Sequence, residues 1–376
     1  MKKILIFTVT AGEGHNSIAK TIQTELLKHE EVEIKFVDVF KEFASQKKAD
    51  FINKGYLLAC KYMPNTYNMF FKSFQKRDPE KREKCPAQGT IKKETKFIEQ
   101  AIDEYCPDAI ICTHFYPAMA ITNFRKTREI KAKVYTILFD YTVHPFWECA
   151  IGVDYMFTPT ADFDELLIYK GYKKEQLIPL GLPVNEKFSK DVSKIDVLNE
   201  LELKDMFTIL IMFGGGGMGG TKTALKEVMK AEKPIQILIV NGKDEEGKLD
   251  IDKFLSKAKT VHNIKNYGFV NFVDKLMSVS DFIVGKCGGV SVNESLNKAL
   301  PMILIKKLAQ QEKDNKDFLL KNKCAIGISK KEPLKKIIKK ITTDNQIQSE
   351  LKENIKKISK PNAYKEIIDF IFNQMK

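Results

Sequence analysis

Residues 285–315 read GKCGGVSVNESLNKALPMILIKKLAQQEKDN, and the pattern indicates a turn, a helix, a short strand and a polar loop in succession. The small residues Gly288 and Gly289 form the turn. We expect the helix to open at Ser291 and to carry Glu294 in its first turn. A strand, a tight turn, a helix and a second strand in this order are typical of a parallel α/β sheet.

The start of this helix is suited to a diphosphate, because a helix N-terminus offers unpaired backbone N–H groups and a partial positive charge. A carboxylate one turn further in, that of Glu294, can accept hydrogen bonds from two vicinal hydroxyls, such as those of a ribose. Amide and carboxylate groups beyond the next strand can reach a sugar. The stretch therefore predicts a nucleotide-sugar pocket. The alternative for Glu294 is a structural acid favoured by the helix dipole, worth a few tenths of a kcal/mol.

The rest of the chain repeats this alternation of short apolar runs and amphipathic segments. Two strands run into glycine-containing turns and helices, at residues 12–15 and 214–219, and they predict two Rossmann-like halves. Gly and Pro break the pattern at residues 181–188, GLPVNEKF, which we read as the hinge. The expected domains are 1–183 and 184–360, followed by a C-terminal helix at 361–376 that packs back on the first domain. Ligands of such sheets lie beyond the carboxyl ends of the strands, so we expect binding in the cleft between the halves.

Length and composition fit this two-domain reading. The 376 residues exceed a typical single domain, and 43% of them are hydrophobic and 30% charged, as in a protein with sizeable cores. The absence of an apolar run of 18 or more residues predicts no membrane span, and we read MKKILIFTVTAGEGH as a first strand rather than a signal peptide. Seven scattered cysteines without a C-x-x-C pair predict free thiols in a reducing cytoplasm.

The formal net charge of +13 predicts an anionic partner. The chain carries no RNA-binding or zinc signature, so we expect an anionic membrane surface rather than nucleic acid. Residues 47–91 mix aromatic and basic side chains, which suits an interfacial anchor. Its proposed members are Phe70, Phe71, Lys72, Phe74, Lys76 and Arg77. The alternatives are a core role for the aromatic residues and a lysine-rich composition that only aids solubility.

Two residues are candidates for a catalytic base. His15 follows a glycine-containing turn at the start of a helix, where the positive helix end favours the neutral imidazole. A positioned base contributes about 100- to 10,000-fold to a rate. Asp140, in the segment FDYTVHPFW with His144 and Trp147, is the competing base. Spacing leaves the choice open, and a loop-capping hydrogen bond is the structural alternative for His15.

Seven short segments in order carry a family resemblance: AGEGH (11–15), DYTVHPFW (140–147), GLPVNEKF (181–188), FGGGGMG (213–219), YGFVN (267–271), GKCGGVSVNE (285–294) and QQEKDN (310–315). With them the chain resembles the monogalactosyldiacylglycerol synthase and processive diacylglycerol glycosyltransferase family over most of its length. The resemblance implies an α/β fold of two Rossmann-like domains facing across a cleft, the GT-B fold. It also implies inverting transfer of a glucose or galactose from a UDP-sugar to 1,2-diacylglycerol, without a metal or other cofactor.

By the same resemblance each site residue receives a role. His15 and Asp140 are the catalytic candidates. The implied donor-binding residues are Gly215, Gly216, Phe269, Val270, Lys286, Gly289, Ser291, Glu294, Gln311, Glu312 and Asn315. The implied acceptor-binding residues are Gly14, Asn16, His144 and Trp147. The sequence departs from the family pattern at Cys287, Ser291 and Gln310, where proline, threonine and glycine are usual. Ser291 keeps the hydroxyl, and Gln310 would narrow the sugar pocket.

The implied partners are a UDP-sugar, diacylglycerol and the inner face of the cell membrane, with no nucleic acid. Three alternatives remain at this stage. One is transfer of N-acetylglucosamine from its UDP conjugate to a polyprenyl-linked acceptor. Another is a nucleotide-sugar-binding regulator without turnover. The third is a protein that binds nucleic acid without sequence preference, which strong salt-dependent retention of DNA would favour.

Overall fold

The computed structural model describes residues 1–10, 14–43, 94–214, 220–305 and 310–375. Two compact units divide the chain: unit 1 comprises Met1–Asn185, Ala309–Gln311 and Asn362–Lys376, and unit 2 comprises Glu186–Leu308 and Glu312–Pro361. The division after Asn185 lies inside the segment 181–188 where the sequence pattern breaks. Each unit contains one parallel sheet, so the predicted α/β class with two Rossmann-like sheets is confirmed.

The described strands of unit 1 form a sheet in the order β2-β1-β3-β4-β5-β6, with every neighbouring pair parallel. They are β1 (Lys2–Thr8), β2 (Val32–Asp38), β3 (Ala109–Cys112), β4 (Lys133–Ile137), β5 (Tyr155–Phe157) and β6 (Leu177–Ile178). The central strands β1 and β3 are buried almost throughout. Strands covered on both faces become continuous apolar runs, which explains why KILIF and AIIC were recognisable from sequence.

The helices up to β6 are α1 (Gly14–Leu26), α2 (Val39–Phe43), α3 (Glu94–Tyr105), α4 (Phe115–Phe124) and α5 (Asp164–Tyr169). Helix α1 buries Ile18, Ala19, Ile22 and Leu26, which recur at the three- and four-residue spacing of one helical face. The β1–α1 and β3–α4 connections therefore bring the N-termini of α1 and α4 to the carboxyl edge of the sheet.

The described strands of unit 2 follow the order β12-β11-β10-β7-β8-β9, again all parallel. They are β7 (Thr208–Met212), β8 (Gln236–Val240), β9 (Asn263–Tyr267), β10 (Phe282–Gly285), β11 (Met302–Leu304) and β12 (Ala325–Gly327). At the end of β10, a Cβ added to Gly285 would lie 2.3 Å from the carbonyl oxygen of Met212 on β7. Any side chain at this position would therefore push the two strands apart.

The helices after β6 are α6 (Lys194–Glu200), α7 (Thr221–Val228), α8 (Glu245–Leu255), α9 (Val273–Ser278), α10 (Gly289–Asn297), α11 (Gln310–Lys321), α12 (Leu334–Ile341) and α13 (Asn345–Ile358). Helix α12 buries Leu334, Ile337, Ile338 and Ile341 and exposes its lysines. It is thus the amphipathic surface helix that its apolar stripe predicts.

Two local predictions in the segment 285–315 are wrong. Helix α10 begins at Gly289 rather than Ser291, because Gly288 already has the extended backbone of an N-cap residue (φ −70°, ψ 139°), and Glu294 therefore lies in the second turn. The QQE segment is the first turn of α11 and not a loop. Gln, Glu and Lys are good helix formers, and an i,i+4 pair between Lys313 and Asp317 adds support to this helix.

The chain returns to unit 1 at its C-terminal end through α14 (Ala363–Gln374). Ile367, Ile368 and Ile371 of this helix are buried, and it packs against α1. The ring of Phe370 meets the rings of Tyr155 and Phe157 edge-on. None of the described helices has both the length and the apolar character that a membrane crossing requires.

The cysteines depart from the prediction at one position. Cys106, Cys112, Cys287 and Cys324 are free thiols, three of them buried. Cys149 is disulfide-bonded, so the expectation of free thiols throughout is wrong for it. Spacing along the sequence does not show which cysteines the fold brings together.

A buried ion pair stabilises the turn that follows β4. Lys170 is 1% exposed and Glu148 is 4% exposed, and Nζ lies 3.4 Å from Oε2. We expect Lys170→Met to lower the free energy of unfolding by about 3–5 kcal/mol, because it leaves the Glu148 carboxylate buried without its cation. Urea denaturation of the full chain measures this change.

The matched control is Lys133→Met, since Lys133 is 48% exposed and its Nζ lies 3.7 Å from Asp154. Removal of this exposed pair should cost less than about 1 kcal/mol. Glu148→Leu added to Lys170→Met should recover part of the loss. Equal stability losses for Lys170→Met and Lys133→Met would contradict this account.

Candidate active site

The carboxyl edge of the unit 1 sheet carries a cluster of imidazole and phenyl rings. His15 lies in the first turn of α1, His114 follows β3, and Phe139 follows β4. The ring centroid of His15 is 4.4 Å from those of both His114 and Phe139, in edge-on geometry. His144 stacks on Phe115 at 4.6 Å. The cluster therefore contains three histidines, of which the sequence had pointed to two.

The hydrogen bonds of the three histidines assign their tautomers. Nδ1 of His15 lies 2.5 Å from the carbonyl oxygen of Thr113, an acceptor only, so this nitrogen carries the hydrogen and Nε2 keeps a lone pair. Nδ1 of His114 accepts from the backbone N–H of Tyr116, and Nδ1 of His144 accepts from that of Phe146. In their neutral forms these two rings carry the hydrogen on Nε2. Within this cluster, His15 is thus the histidine whose Nε2 can accept a proton.

Burial keeps all three imidazoles neutral. It lowers the pKa of His15 to about 4, and the hydrogen bond to the Thr113 carbonyl only partly offsets this effect. Burial likewise lowers the pKa of His144 to about 3, with smaller contributions from His15 and Lys170. The pKa of His114 is also well below its usual value, mainly through burial. A neutral imidazole with an available Nε2 is the form that acts as a general base.

Of the other residues expected to bind the acceptor, Trp147 and Asn16 make contacts inside the protein. Gly14 begins α1 directly before His15. Trp147 is 3% exposed and belongs to the apolar core of unit 1, so its indole packs inside and does not line a binding surface. Asn16 uses its amide within the fold, donating to Thr10 and accepting from Thr8.

Asp140 directly follows Phe139, the residue packed on His15, so both catalytic candidates belong to the same edge of the sheet.

Sequence reasoning missed His114. The signal was present, because His114 follows a buried strand at the end where ligands of parallel sheets bind.

In unit 2, Glu294 belongs to α10, and the charges of Lys187 and Asp274 act on its carboxyl group. Burial raises the pKa of its carboxyl to about 8, Asp274 adds to this effect, and Lys187 opposes it. Nζ of Lys187 lies 3.1 Å from Asp274 and donates to the carbonyl of Asn271 at 2.6 Å. A carboxyl of this kind gains from hydrogen-bond donors that would stabilise its ionised form.

A second ion pair lies between the end of β10 and the first turn of α11. Nζ of Lys286 is 2.9 Å from Oε1 of Glu312, and both side chains are mostly buried. A Cβ on Gly214, which has a left-handed φ of +85°, would lie 3.4 Å from Cε of Lys286. At the mouth of α10, a Cβ on Gly288 would meet no described atom within 4 Å. An ammonium group, a helix N-terminus and open space thus lie within the four residues 286–289.

Of the remaining donor-side predictions, Ser291 and Gly289 lie in the first turn of α10 and Gln311 in the first turn of α11. Asn315 is completely buried, and its amide donates to the carbonyl of Cys287 at 2.8 Å, which supports the β10–α10 turn. Asn315 therefore has a structural role in unit 2, since it stabilises the turn between β10 and α10.

Phe269 and Val270 follow β9. The Phe269 side chain is 69% exposed and does not belong to the core of unit 2. It lines a cavity of about 530 Å³ together with residues that include Gly242, Lys248 and Leu249.

Several predictions fall outside the described residues. They concern Gly215 and Gly216 on the donor side and the proposed membrane anchor of Phe70, Phe71, Lys72, Phe74, Lys76 and Arg77.

The sequence profile of the monogalactosyldiacylglycerol (MGDG) synthase family matches residues 15–184, and that of the glycosyltransferase family 28 C-terminal domain matches residues 210–369. The chain is a glycosyltransferase that carries an MGDG synthase domain and a glycosyltransferase family 28 C-terminal domain. The family prediction made from the seven short segments is therefore confirmed. The MGDG synthase match contains the whole histidine cluster, and the second match contains Glu294 and Lys286.

Relatives of this glycosyltransferase match nearly its whole length. The processive diacylglycerol beta-glucosyltransferase of Bacillus mycoides (strain KBAB4) is 25% identical over 370 residues, which are 98% of this chain and 93% of that protein. The protein of the same description from Bacillus cereus (strain AH187) is 26% identical over 98% of this chain and 93% of its own length.

Solved structures support the fold. Acinetobacter baumannii MurG matches with a TM-score of 0.66 and 13% identity, covering 99% of each chain. Phytolacca americana UGT2, complexed with UDP-2fluoro-glucose and pterostilbene, matches with a TM-score of 0.63 and 11% identity, covering 100% of each chain. The predicted GT-B fold class is confirmed, as is the prediction of a glycosyltransferase.

Proposed function

We propose that the chain moves a hexose from a UDP-sugar to the hydroxyl of 1,2-diacylglycerol, with inversion at the anomeric carbon. The product is a β-glycosyldiacylglycerol. The observation that carries this proposal is the similarity, over 98% of the chain, to a protein described as a processive diacylglycerol beta-glucosyltransferase. The tautomer of His15 and the half-buried Glu294, whose carboxyl has a raised pKa, support it on chemical grounds.

In the proposed reaction, Nε2 of His15 takes the proton from the diacylglycerol hydroxyl. The hydroxyl oxygen attacks the anomeric carbon from the face opposite to UDP. As the new C–O bond forms, the bond to the diphosphate breaks and its electron pair leaves with UDP. The imidazolium then returns its proton to solvent. Asp140 is the second candidate for this role, and the tautomer of His15 is the reason to place His15 first.

On the donor side, Glu294 accepts hydrogen bonds from the ribose hydroxyls. The uracil lies against the backbone of Phe269 and Val270. The diphosphate meets the first turn of α10 at Ser291 and the ammonium of Lys286, and both stabilise the negative charge that develops on the leaving group.

Around the transferred hexose we assign Gln311 and Glu312, in the first turn of α11, to its hydroxyls. Asn315 acts indirectly, since its amide supports the turn at Cys287. The proposal includes no metal, because a helix N-terminus and a lysine meet the charge of the diphosphate. We further propose that the enzyme works at the cytoplasmic face of the membrane, where its acceptor lipid resides. A net charge of +13 favours attraction to anionic lipid.

The test is a donor-by-acceptor screen with the purified full chain. Radiolabelled UDP-glucose, UDP-galactose and UDP-N-acetylglucosamine are each incubated with diacylglycerol or a polyprenyl lipid in vesicles. We expect label in a β-glycosyldiacylglycerol, a higher rate in anionic than in zwitterionic vesicles, and a rate with EDTA within about twofold of that without it. Transfer to the polyprenyl lipid alone, or to neither lipid, would refute the proposed acceptor.

A further inference from the structure

A chain of hydrogen bonds begins at Asp38, the last residue of β2. Its side chain is mostly buried, and it accepts from the backbone N–H of Thr10 at 3.2 Å and from the Thr10 hydroxyl. Nζ of Lys41 lies 3.8 Å away on the exposed side. An ionised carboxylate only accepts, so the hydroxyl hydrogen of Thr10 points to Asp38. The lone pairs of that hydroxyl remain for another donor.

Asn16 supplies this donor, since its Nδ2 lies 2.8 Å from the Thr10 hydroxyl. Its Oδ1 then accepts from the hydroxyl of Thr8 at 2.9 Å, and the Thr8 oxygen accepts from the hydroxyl of Thr113 at 3.0 Å. Thr8 and Thr113 are buried. The hydroxyls of Thr10 and Thr8 each donate once and accept once, and the hydroxyl of Thr113 donates to Thr8. The carboxylate of Asp38 therefore sets the direction of every hydrogen in the chain.

Two members of this chain of hydrogen bonds, Asn16 in its middle and Thr113 at its end, adjoin His15. Asn16 is its neighbour in α1, and its amide ties the start of the helix to Thr8 and Thr10. Thr113, whose hydroxyl closes the chain, presents the backbone carbonyl that accepts the Nδ1 hydrogen of His15. The same side chains therefore fix where His15 stands and which nitrogen carries its hydrogen.

We infer that Asp38, Thr8 and Asn16 are positioning residues, which hold His15 in the place and tautomer that proton abstraction requires. The inference rests on the proposed function, in which His15 is the base. Under this inference the amide of Asn16 holds Thr8 and Thr10 instead of contacting the acceptor, as the sequence had led us to expect. A misplacement of a reacting group by about 1 Å can cost about 100-fold in rate, so a buried hydrogen-bond chain two residues removed from the substrate affects turnover.

The variants are Thr8→Val, which removes one hydroxyl at nearly constant volume, and Asp38→Asn, which removes the charge. We expect each to lower kcat by about 10- to 100-fold, to leave UDP affinity within twofold, and to reduce the fraction of His15 in the Nδ1–H tautomer. Nitrogen-15 NMR of histidine-labelled protein reports that fraction without any substrate. Thr8→Ser restores the hydroxyl and should recover most of the lost kcat.

The matched control is Thr136→Val. Thr136 is a completely buried threonine of the same sheet, and its hydroxyl donates to the carbonyl of Cys112 outside the chain. The Thr136→Val variant should lose about as much stability as Thr8→Val, but its kcat and the tautomer of its His15 should equal those of the wild type. If Thr8→Val and Asp38→Asn match Thr136→Val in kcat and in the NMR signal, the inference is overturned. A wild-type chain without transferase activity would instead refute the proposed function, and the tautomer would still test the inference.

Discussion

Replacing His15 with alanine should lower kcat by about 100- to 10,000-fold and leave UDP affinity unchanged. The reason is that Nδ1 of His15 is committed to the Thr113 carbonyl, so Nε2 keeps the lone pair that takes the acceptor proton. Transfer of radiolabelled hexose to diacylglycerol measures kcat, and calorimetry measures UDP affinity. His144→Ala should cost less in kcat, because Nδ1 of His144 caps the turn at Phe146 and its Nε2 carries a hydrogen.

The pH dependence gives an independent check on the same residue. Burial lowers the pKa of His15 to about 4, so the neutral base persists down to that pH and kcat/KM should fall only as the pH passes through about 4. An acid limb near 6.5, the usual value for histidine, would contradict a buried base. If Asp140→Asn abolishes turnover and His15→Ala retains it, Asp140 is the base and the assignment made here is wrong.

Glu294→Ala should weaken UDP binding by at least about 100-fold. Above its pKa of about 8 the Glu294 carboxyl is ionised, and two hydrogen bonds from ribose hydroxyls to this charged acceptor contribute about 1.5–3 kcal/mol each. At such a pH their joint loss corresponds to a factor of this size or larger. Calorimetric titration with UDP measures the effect in the full chain. Ser295→Ala, a buried neighbour on α10 whose hydroxyl donates to Leu300, is a control for general damage to the helix.

The isosteric variant Glu294→Gln separates binding from stability. Burial raises the folded-state pKa of Glu294 to about 8, above the value near 4.5 of the unfolded chain. The folded protein therefore binds the extra proton between these values, and its stability decreases as the pH rises from about 4.5 to 8. Glu294→Gln removes this dependence, so at pH 8 its melting temperature should equal or exceed that of the wild type. A lower melting temperature together with normal UDP affinity would show that Glu294 serves the fold.

Much of the fold could be predicted because buried parallel strands become uninterrupted apolar runs. KILIFT and TILIM run into glycine-containing turns, and this pattern indicated one parallel sheet in each half of the chain. Strand β12 was not predicted, since its three residues Ala325–Gly327 contain no recognisable run and pair only at the sheet edge. The polar composition of the QQE segment indicated a loop. The high helix propensity of Gln and Glu outweighed it, and the structure places the segment in α11.

The sequence predicts candidate site residues by type, and it does not show the contacts of their side chains. The motif around His15 indicated a base, but its tautomer depends on the Thr113 carbonyl, 98 positions away in the chain. For the same reason the sequence did not reveal that Trp147 packs inside unit 1 or that the amide of Asn16 is engaged by Thr8 and Thr10. Side-chain partners distant in sequence are set by tertiary packing, and one sequence alone does not display them.

Helix α14 restricts how the protein can be divided for experiments. A fragment that stops after Asn185 would lack the buried side chains of Ile367, Ile368 and Ile371, and α1 would lose the helix that packs against it. An N-terminal half for isolated lipid-binding work should therefore carry residues 362–376 through a short designed linker. The carbonyl oxygen of Met375 accepts a hydrogen bond from Nζ of Lys2, so a flexible spacer should separate a C-terminal affinity tag from this contact.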